Sequence, residues 1–369
     1  MSRDRCGTID ASRNKSAVFV AENLTRWHVV WSGSQWIEGK MGTEPVRVGL
    51  LGASQIAPLA IIVPAGRRDD VEIVSVAARD PERAATFATE HGIARVAATY
   101  EELISDPEID LIYNGLPPVS HAPLSVLAMK AGRHVLCEKP FAMNAAEARD
   151  MVEVAQRTGR LCVEGFHYFY HPLFARVMEI VRSGKLGPLI AMSGAFDVEI
   201  PDVAGNIRHD LALGGGALMD LGCYPLHMLR HIAGSEPQII SAQAKVGRPG
   251  IDLSMEAELQ FSGIPARVSC DMSAGVAIRA EFEVIGQKGR LHVNNPIHPY
   301  LGHQLTLGVD GDETIEQVDG QSTFDHQLDA VVDEIRGGMA VSTGGADAVA
   351  NMEAIDAIYT AAGLSPRGL

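Results

Sequence analysis

The stretch Val46-Arg47-Val48-Gly49-Leu50-Leu51-Gly52-Ala53-Ser54-Gln55-Ile56-Ala57, residues 46–57, decides how this chain of 369 residues folds. An apolar run of strand length ends at Gly52, and a helix start follows directly. A glycine there permits a tight turn, and small residues after it let the backbone approach a pyrophosphate. The sequence therefore predicts a dinucleotide turn formed by Gly52, Ala53, Ser54, Gln55, Ile56 and Ala57. A tight turn without a ligand is the alternative, because Ser54 and Ala57 stand where the motif has glycine.

The end of the next predicted strand, Ala77-Ala78-Arg79, indicates which dinucleotide is bound. An NAD site places a carboxylate there to accept from the ribose hydroxyls, whereas an arginine forms paired hydrogen bonds with a 2′-phosphate. Arg79 supplies the second arrangement, and Arg83 follows one helical turn later. We therefore predict that the chain binds NADP(H). Binding of NAD is the alternative, because Asp80 is adjacent. If Arg79 contacts no ligand, its side chain is simply solvated.

From Val46 to about residue 165, apolar runs of strand length alternate with helical segments, which is typical of βαβ units on a parallel sheet. The predicted strands are Val46–Leu51, Glu72–Ala77, Leu111–Asn114, His134–Cys137 and Leu161–Val163, and the predicted helices are Pro81–Glu90, Tyr100–Ser105, Ala122–Ala131 and Ala145–Thr158.

After residue 165 the pattern changes to segments typical of antiparallel strands, with few helices between them. The predicted elements are helices Leu173–Ser183, Ala217–Ile232, Phe324–Arg336 and Asp347–Ala362, a loosely alternating segment Leu189–Ile200, and strands Ile239–Val246, Ser254–Phe261, Ala266–Met272, Ala280–Ile285 and Leu291–Val293. The fold class is therefore α/β: an N-terminal Rossmann domain over residues 45–165, a C-terminal α+β domain with antiparallel strands over 166–325, and C-terminal helices over 326–369.

Residues 1–44 do not conform to this pattern, although they hold all three tryptophans, Trp27, Trp31 and Trp36. We interpret them as an N-terminal extension outside the main fold, with Met41 marking a downstream start codon. A short arm whose tryptophans pack on the domain or on a partner chain is the second interpretation.

The hexapeptide Cys137-Glu138-Lys139-Pro140-Phe141-Ala142 follows the predicted strand His134–Cys137. Ligands bind at the carboxyl ends of strands in open α/β sheets, so Lys139 is placed at that edge. An ammonium there steers a hydroxyl or carbonyl oxygen and stabilises negative charge that develops on it. A surface lysine that opens a turn is the competing interpretation.

A second cluster follows Gly214-Gly215-Gly216, where Asp220, Tyr224 and His227 are spaced to share one face of a helix. A tyrosine hydroxyl exchanges a proton with a carbinol oxygen, and a nearby lysine ammonium favours its phenolate. We predict Tyr224 as the acid/base, Lys139 as its electrostatic partner and Asp220 as the orienting residue. His227 is the reserve acid/base, and Arg208, ahead of the glycines, is a candidate substrate contact.

Bulk composition excludes several classes of protein. The net charge of −15 does not favour nucleic acid or an anionic membrane surface. The 5 cysteines form no Cys-x-x-Cys pair, so we expect neither a disulfide framework nor a structural zinc site, and we expect a cytoplasmic protein. No run approaches the length of a membrane span. His167 and His171 are spaced like metal ligands but lack a His-Glu-x-x-His arrangement, so we predict no metal.

In these motifs, the chain from Val46 onward resembles the glucose–fructose oxidoreductase and inositol dehydrogenase family, Gfo/Idh/MocA. The strongest likeness is Ala131-Gly132-Arg133-His134-Val135-Leu136-Cys137-Glu138-Lys139-Pro140. The resemblance implies that the C-terminal domain carries a large, mostly antiparallel sheet. It implies that Lys139 is catalytic, and that Lys139, Glu138, Pro117 and His121 lie beside the cofactor. It also implies that Tyr168 lies near the substrate, that Tyr224 replaces a histidine of many members, and that the chain forms a homodimer or homotetramer.

The sequence thus predicts an NADP(H)-dependent oxidoreductase that transfers hydride between nicotinamide and a secondary alcohol or ketone of a sugar, inositol or related polyol. A trans-dihydrodiol or xylose dehydrogenase of the same family is the alternative within enzymes. A non-catalytic NAD(P)-sensing regulator is the alternative from another class, although such a protein does not need Lys139, Asp220 and Tyr224 together.

Overall fold

The computed structural model describes residues 20–21, 27–30, 36–39 and 44–369. The chain divides into two compact units, Met1–Pro45 and Val46–Leu369. In the first unit, strands β1 (Val20–Ala21), β2 (Trp27–Val30) and β3 (Trp36–Gly39) pair in sequence order into an antiparallel sheet. The sequence analysis did not predict these strands. Where the tryptophan side chains pack lies outside the described residues.

A six-stranded parallel sheet forms the first part of the second unit, in the order β6-β5-β4-β7-β8-β9. This is the strand order of Rossmann dinucleotide-binding domains. The strands are β4 (Val46–Leu51), β5 (Val71–Ala77), β6 (Arg95–Val96), β7 (Leu111–Asn114), β8 (His134–Cys137) and β9 (Cys162–Glu164), and the helices are α1 (Val63–Ala65), α2 (Pro81–His91), α3 (Tyr100–Ser105), α4 (His121–Lys130) and α5 (Ala145–Thr158). The chain order reverses at β4, which places a ligand crevice at the carboxyl ends of the central strands.

Local capping explains where the crossover helices begin. The Asp80 side chain accepts hydrogen bonds from the backbone amides of Glu82 and Arg83, and Pro81 occupies the first turn of α2. Asn144 caps α5 in the same way, by accepting from the backbone amides of Ala146 and Glu147. These caps lie at the positions that the sequence predicts.

An eight-stranded sheet forms the second part of the unit, in the order β11-β12-β13-β10-β14-β15-β16-β17. Only the β10–β13 pair is parallel within this sheet, so the fold class is confirmed. The strands are β10 (Leu189–Asp197), β11 (Pro237–Val246), β12 (Asp252–Phe261), β13 (Ile264–Asp271), β14 (Arg279–Gly286), β15 (Gly289–Asn294), β16 (Gln304–Val309) and β17 (Asp312–Glu316), and the helices are α6 (Pro172–Arg182), α7 (Cys223–Ala233), α8 (Thr323–Ile335) and α9 (Ala346–Ala361). A π-helical turn, Leu218–Gly222, leads into α7. The sequence analysis missed β6, β16 and β17.

Helix α8 closes one face of the parallel sheet. Its residues Phe324, Leu328 and Val331 share a buried core with Val48 and Leu50 of β4. Ion pairs from Arg67 to Asp325 and from Arg68 to Asp329 fix the same contact at the surface. The predicted boundary between residues 325 and 326 therefore falls inside a helix that packs on the first domain.

Candidate active site

A cavity of about 870 Å³ lies in the second unit, at the carboxyl ends of the central parallel strands. Its wall combines the glycine turn after β4, Lys139 after β8, and Asp220 and Tyr224 from the π-helical turn and α7. The size is typical of cofactor and small-molecule sites. Residues from both predicted domains therefore meet in one place.

The glycine turn lines one part of this cavity. Gly52 has a φ of +95°, which favours glycine, and its amide donates to the Ala77 carbonyl at 2.8 Å. Residues 52–56 line the cavity, whereas Ala57 lies behind them, fully buried. Among the described residues, the buried hydroxyl of Ser54 has no hydrogen-bond partner. An orphaned donor beside a helix start fits a phosphate group.

The next part of the wall is formed by Arg79, Asp80, Arg83 and Tyr100. Arg79 is exposed at the end of β5. The Arg83 guanidinium donates to the Ala53 carbonyl at 2.7 Å, which links it to the glycine turn. The Asp80 carboxylate is engaged as the cap of α2, where it accepts from the amide of residue 82 at 2.9 Å. Two guanidinium groups therefore lie in this part of the cavity wall, together with a carboxylate that already accepts hydrogen bonds from backbone amides.

The two loops beside the glycine turn are linked by a buried histidine. Pro117 and Glu138 line the cavity, and Glu138 accepts a hydrogen bond from the buried Tyr113 hydroxyl at 2.8 Å. His121 lies behind the wall, with its ring nitrogens 2.8 Å from the Pro140 carbonyl and 2.7 Å from the Leu116 carbonyl. His121 therefore contacts both the lysine loop and the Pro117 loop, but it does not line the cavity itself.

Lys139 and Arg208 hold Asp220 between them. The Lys139 ammonium donates to the Asp220 carbonyl at 2.8 Å and to its Oδ1 at 3.2 Å, and Arg208 donates to Oδ2 at 2.7 Å. Burial raises the pKa of Asp220, but the two cations outweigh it and lower that pKa to about 2. Burial lowers the pKa of Lys139, but Asp220, Cys223 and Glu138 together outweigh it and the net shift is upward. Lys139 is therefore a fixed ammonium ion at the cavity wall.

Tyr224 corrects one expectation of the sequence analysis. Its ring lies beside Lys139, with the ammonium 4.9 Å from the ring centroid. Burial nevertheless raises the pKa of Tyr224 well above its usual range, and the Glu138 carboxylate adds to the shift. The predicted lowering of this pKa by Lys139 is wrong, because the hydroxyl is desolvated and the ammonium is engaged by Asp220. The phenol is neutral at neutral pH.

Tyr168 and His227 lie behind the cavity wall. The Tyr168 hydroxyl is 2.6 Å from His227 Nδ1, and His227 Nε2 is 2.9 Å from Asp347 Oδ2. Both side chains are fully buried. The π-helical turn Leu218–Gly222 changes the angular spacing of a regular α-helix, so His227 does not share the cavity face of Asp220.

His227, His231 and Asp347 bring three potential ligand atoms within 4.8 Å of one another. Arg230 donates to the same carboxylate at 3.0 Å, and Tyr168 occupies the other nitrogen of His227. The Asp347 carboxylate is therefore already paired with a guanidinium cation.

Two histidines, His167 and His298, are among the cavity residues that were not assigned to the site from the sequence. His167 Nε2 lies 3.1 Å from the Tyr224 hydroxyl, and its ring stacks on that of His298 with centroids 5.2 Å apart. The sequence analysis considered His167 only as a metal ligand. Its place just after β9, at the carboxyl edge of the sheet, was the available signal.

Comparisons with known proteins agree with this geometry. The profile described as "Oxidoreductase family, NAD-binding Rossmann fold" matches residues 46–166, and the Gfo/Idh/MocA C-terminal domain profile matches residues 174–292. The chain belongs to the Gfo/Idh/MocA oxidoreductase family. The resemblance inferred from the sequence is confirmed, and the chain is an oxidoreductase with an NAD-binding Rossmann domain.

Several Gfo/Idh/MocA relatives align over most of their length. The D-xylose 1-dehydrogenase (NADP(+)) 2 of Haloferax volcanii is 32% identical over 317 residues, which cover 85% of this chain and 96% of that protein. A crystal structure of a 3-ketoreductase from Actinomadura kijaniata, in complex with NADP and TDP-benzene, has a TM-score of 0.80 at 25% identity and covers 86% of this chain and 98% of that one. The aldose-aldose oxidoreductase from Caulobacter crescentus, complexed with glycerol, has a TM-score of 0.78 at 27% identity over the same shares, 86% and 98%.

None of the helices in the described part of the chain combines the length and the apolar character needed to cross a membrane.

Proposed function

We propose that this chain is an NADP(H)-dependent oxidoreductase that transfers hydride between nicotinamide and a secondary alcohol or ketone carbon of a sugar, an inositol or a related polyol. The observation that carries the proposal is a single cavity whose wall holds the glycine turn, Lys139 and Tyr224. Hydride transfer to a carbonyl needs a bound cofactor beside the carbonyl carbon and a proton donor beside its oxygen.

The residues in and around the glycine turn fit a dinucleotide. The orphaned Ser54 hydroxyl and the amides that open the following helix would hold the pyrophosphate. Arg79 and Arg83 would hold the 2′-phosphate of NADP, and the use of Asp80 as a helix cap supports NADP over NAD. When bound, the nicotinamide supplies or accepts the hydride.

Tyr224 and Lys139 act at the substrate oxygen. A neutral phenol donates a proton, so Tyr224 protonates the oxygen of a ketone as the carbonyl carbon is reduced. An ammonium carries three N–H donors, and two of those of Lys139 reach Asp220. The third stabilises negative charge on the same oxygen. Asp220 fixes the position of Lys139.

The other residues that line the cavity support the proposal of a hydroxyl-rich substrate. They include the polar residues Arg208, Asn206 and His298 and apolar residues such as Phe196 and Phe324. Polar side chains in an apolar wall orient a ligand through its hydroxyl groups. Two relatives whose names contain sugars, a xylose dehydrogenase and an aldose-aldose oxidoreductase, favour the same substrate class.

The direct test is turnover of purified protein with NADPH or NADH against a panel of keto-sugars, aldoses and polyols, followed by nicotinamide absorbance. We expect NADPH-dependent turnover in the wild type and its loss in Lys139→Met and Tyr224→Phe. Binding of NADPH with unchanged absorbance across the panel would instead identify a cofactor-sensing regulator. A homodimer or homotetramer and a cytoplasmic location stay predictions, the first to be measured by analytical ultracentrifugation.

A further inference from the structure

The ring of His167 connects the cavity to a buried threonine. Its Nε2 lies 3.1 Å from the Tyr224 hydroxyl, and its Nδ1 lies 2.8 Å from the hydroxyl of Thr323, the first residue of α8. The ring is 2% exposed and borders the cavity. Among the described residues, His167 is the one hydrogen-bond partner of the Tyr224 hydroxyl.

Two neutral groups therefore face each other. Burial lowers the pKa of His167 well below its usual range, and the neighbouring His298 and Lys139 add to the shift. Burial raises the pKa of Tyr224. A neutral imidazole carries one N–H and one bare nitrogen. In the tautomer whose Nδ1–H donates to Thr323, the bare nitrogen is Nε2, and it accepts from the phenol.

A neutral phenol alone does not serve the oxidation direction. The substrate hydroxyl must lose a proton as its carbon loses hydride, and a phenol that keeps its own proton is a poor acceptor. The phenol proton needs a destination, and His167 Nε2 is within hydrogen-bond distance.

We propose that His167 is the second member of a proton relay, which takes the phenol proton of Tyr224 while Tyr224 takes the proton of the substrate hydroxyl. This inference rests on the proposed function. The carbon–hydrogen bond of the substrate breaks with its electron pair going to nicotinamide, and its O–H proton bonds to the Tyr224 oxygen. The former phenol proton bonds to Nε2, and the resulting imidazolium releases a proton to water in the cavity. Reduction runs the same steps in reverse.

A packing role is the competing explanation, because the His167 ring also contacts Phe324 at a centroid distance of 3.9 Å. The two explanations differ in chemistry. Glutamine at 167 retains an acceptor for the phenol and similar bulk but cannot take a proton. Activity that is lost through poor packing does not return when a base is added, whereas activity that is lost with a relay base does.

The experiment measures polyol oxidation by His167→Gln across pH, and by His167→Ala with and without added imidazole. We expect His167→Gln to lower kcat by about 10²-fold with little change in KM or NADP affinity. The deficit should shrink as pH rises, since hydroxide then takes the phenol proton, and imidazole should restore part of the His167→Ala activity. His326→Gln, a histidine of α8 outside the cavity, serves as the control with unchanged kcat.

An unchanged pH profile in His167→Gln, or no effect of imidazole on His167→Ala, would overturn the relay. A second readout needs no turnover: nitrogen-15 histidine NMR of the whole protein, assigned with His167→Gln, should show a bare Nε2 whose signal moves in Tyr224→Phe. A protonated Nε2 in the resting protein also overturns the relay. Absence of wild-type turnover with every substrate would defeat the proposed function instead, and the tautomer would still decide whether the pair can pass a proton.

Discussion

The ammonium of Lys139 lies 4.9 Å from the centre of the Tyr224 ring, although the two residues are 85 positions apart in the chain. Lys139 follows a strand of the parallel sheet, and Tyr224 belongs to the helix that packs on the antiparallel sheet. The glycine turn, Lys139 and Tyr224 consequently border one cavity. This relationship makes each residue of the pair separately testable.

Replacement of Lys139 by methionine or alanine should lower kcat by at least about 10²-fold, because the ammonium that stabilises charge on the substrate oxygen is removed. The dissociation constant of NADPH should change little. Steady-state kinetics and fluorescence titration of NADPH measure the two quantities. Lys130→Ala, at an exposed position at the end of α4, is the control with unaltered kinetics. Equal activity in Lys139→Ala would remove the central assignment.

Replacement of Arg79 by alanine should weaken NADPH far more than NADH. A hydrogen bond to a charged group contributes about 1.5–3 kcal/mol, which corresponds to roughly 10- to 100-fold in the dissociation constant. Titration calorimetry with both dinucleotides measures the ratio. Arg95→Ala is the matched control, because Arg95 pairs with Asp106 and Glu108 outside the cavity. The same loss for both cofactors would show that Arg79 does not read the phosphate.

Asp220 should make stability depend on pH in the acid range. Its pKa is lowered from 3.8 to about 2, so its stabilising contribution is complete above about pH 4 and is lost as pH falls through about 2. The difference corresponds to about 2 kcal/mol. Urea unfolding across this range should show wild type losing that much more than Asp220→Asn. In a Lys139→Met background this loss of stability at acid pH should be smaller, because one of the two cations is gone. An undiminished loss would exclude Lys139 as a cause of the lowered pKa.

Arg367, at the C-terminal end of the chain, should stabilise the turn that precedes Asp220. It pairs with Asp252 and donates to the Gly215 carbonyl at 2.7 Å, and Asp252 accepts from the Leu218 amide at 2.7 Å. Arg367→Met leaves Asp252 buried without its cation, which costs about 3–5 kcal/mol.

The double variant Arg367→Met with Asp252→Asn tests that pairing. It should cost less free energy of unfolding than the sum of the two single variants, because the neutral amide no longer needs a counter-charge. Urea denaturation of all four proteins closes the cycle. Additive losses would mean that the two groups do not interact.

The sequence predicted the parallel domain closely for a local reason. Strands Val46–Leu51, Leu111–Asn114 and His134–Cys137 have the predicted bounds, because buried parallel strands are continuous apolar runs that end at turn residues. Helix caps such as Asp80 and Asn144 are local too. Strand β17 escaped prediction because its residues are largely exposed and polar, so apolar alternation does not mark it.

The amino-acid sequence by itself located the glycine turn, indicated the family and singled out Lys139, Asp220 and Tyr224 as candidates, because each of these features lies in a contiguous motif. Only the tertiary structure decided which groups face one another: His167 against Tyr224, and His227 against Asp347 instead of the cavity. Burial, and with it the direction of each pKa shift, depends on elements far apart in the chain that pack together. A local pattern does not contain that information.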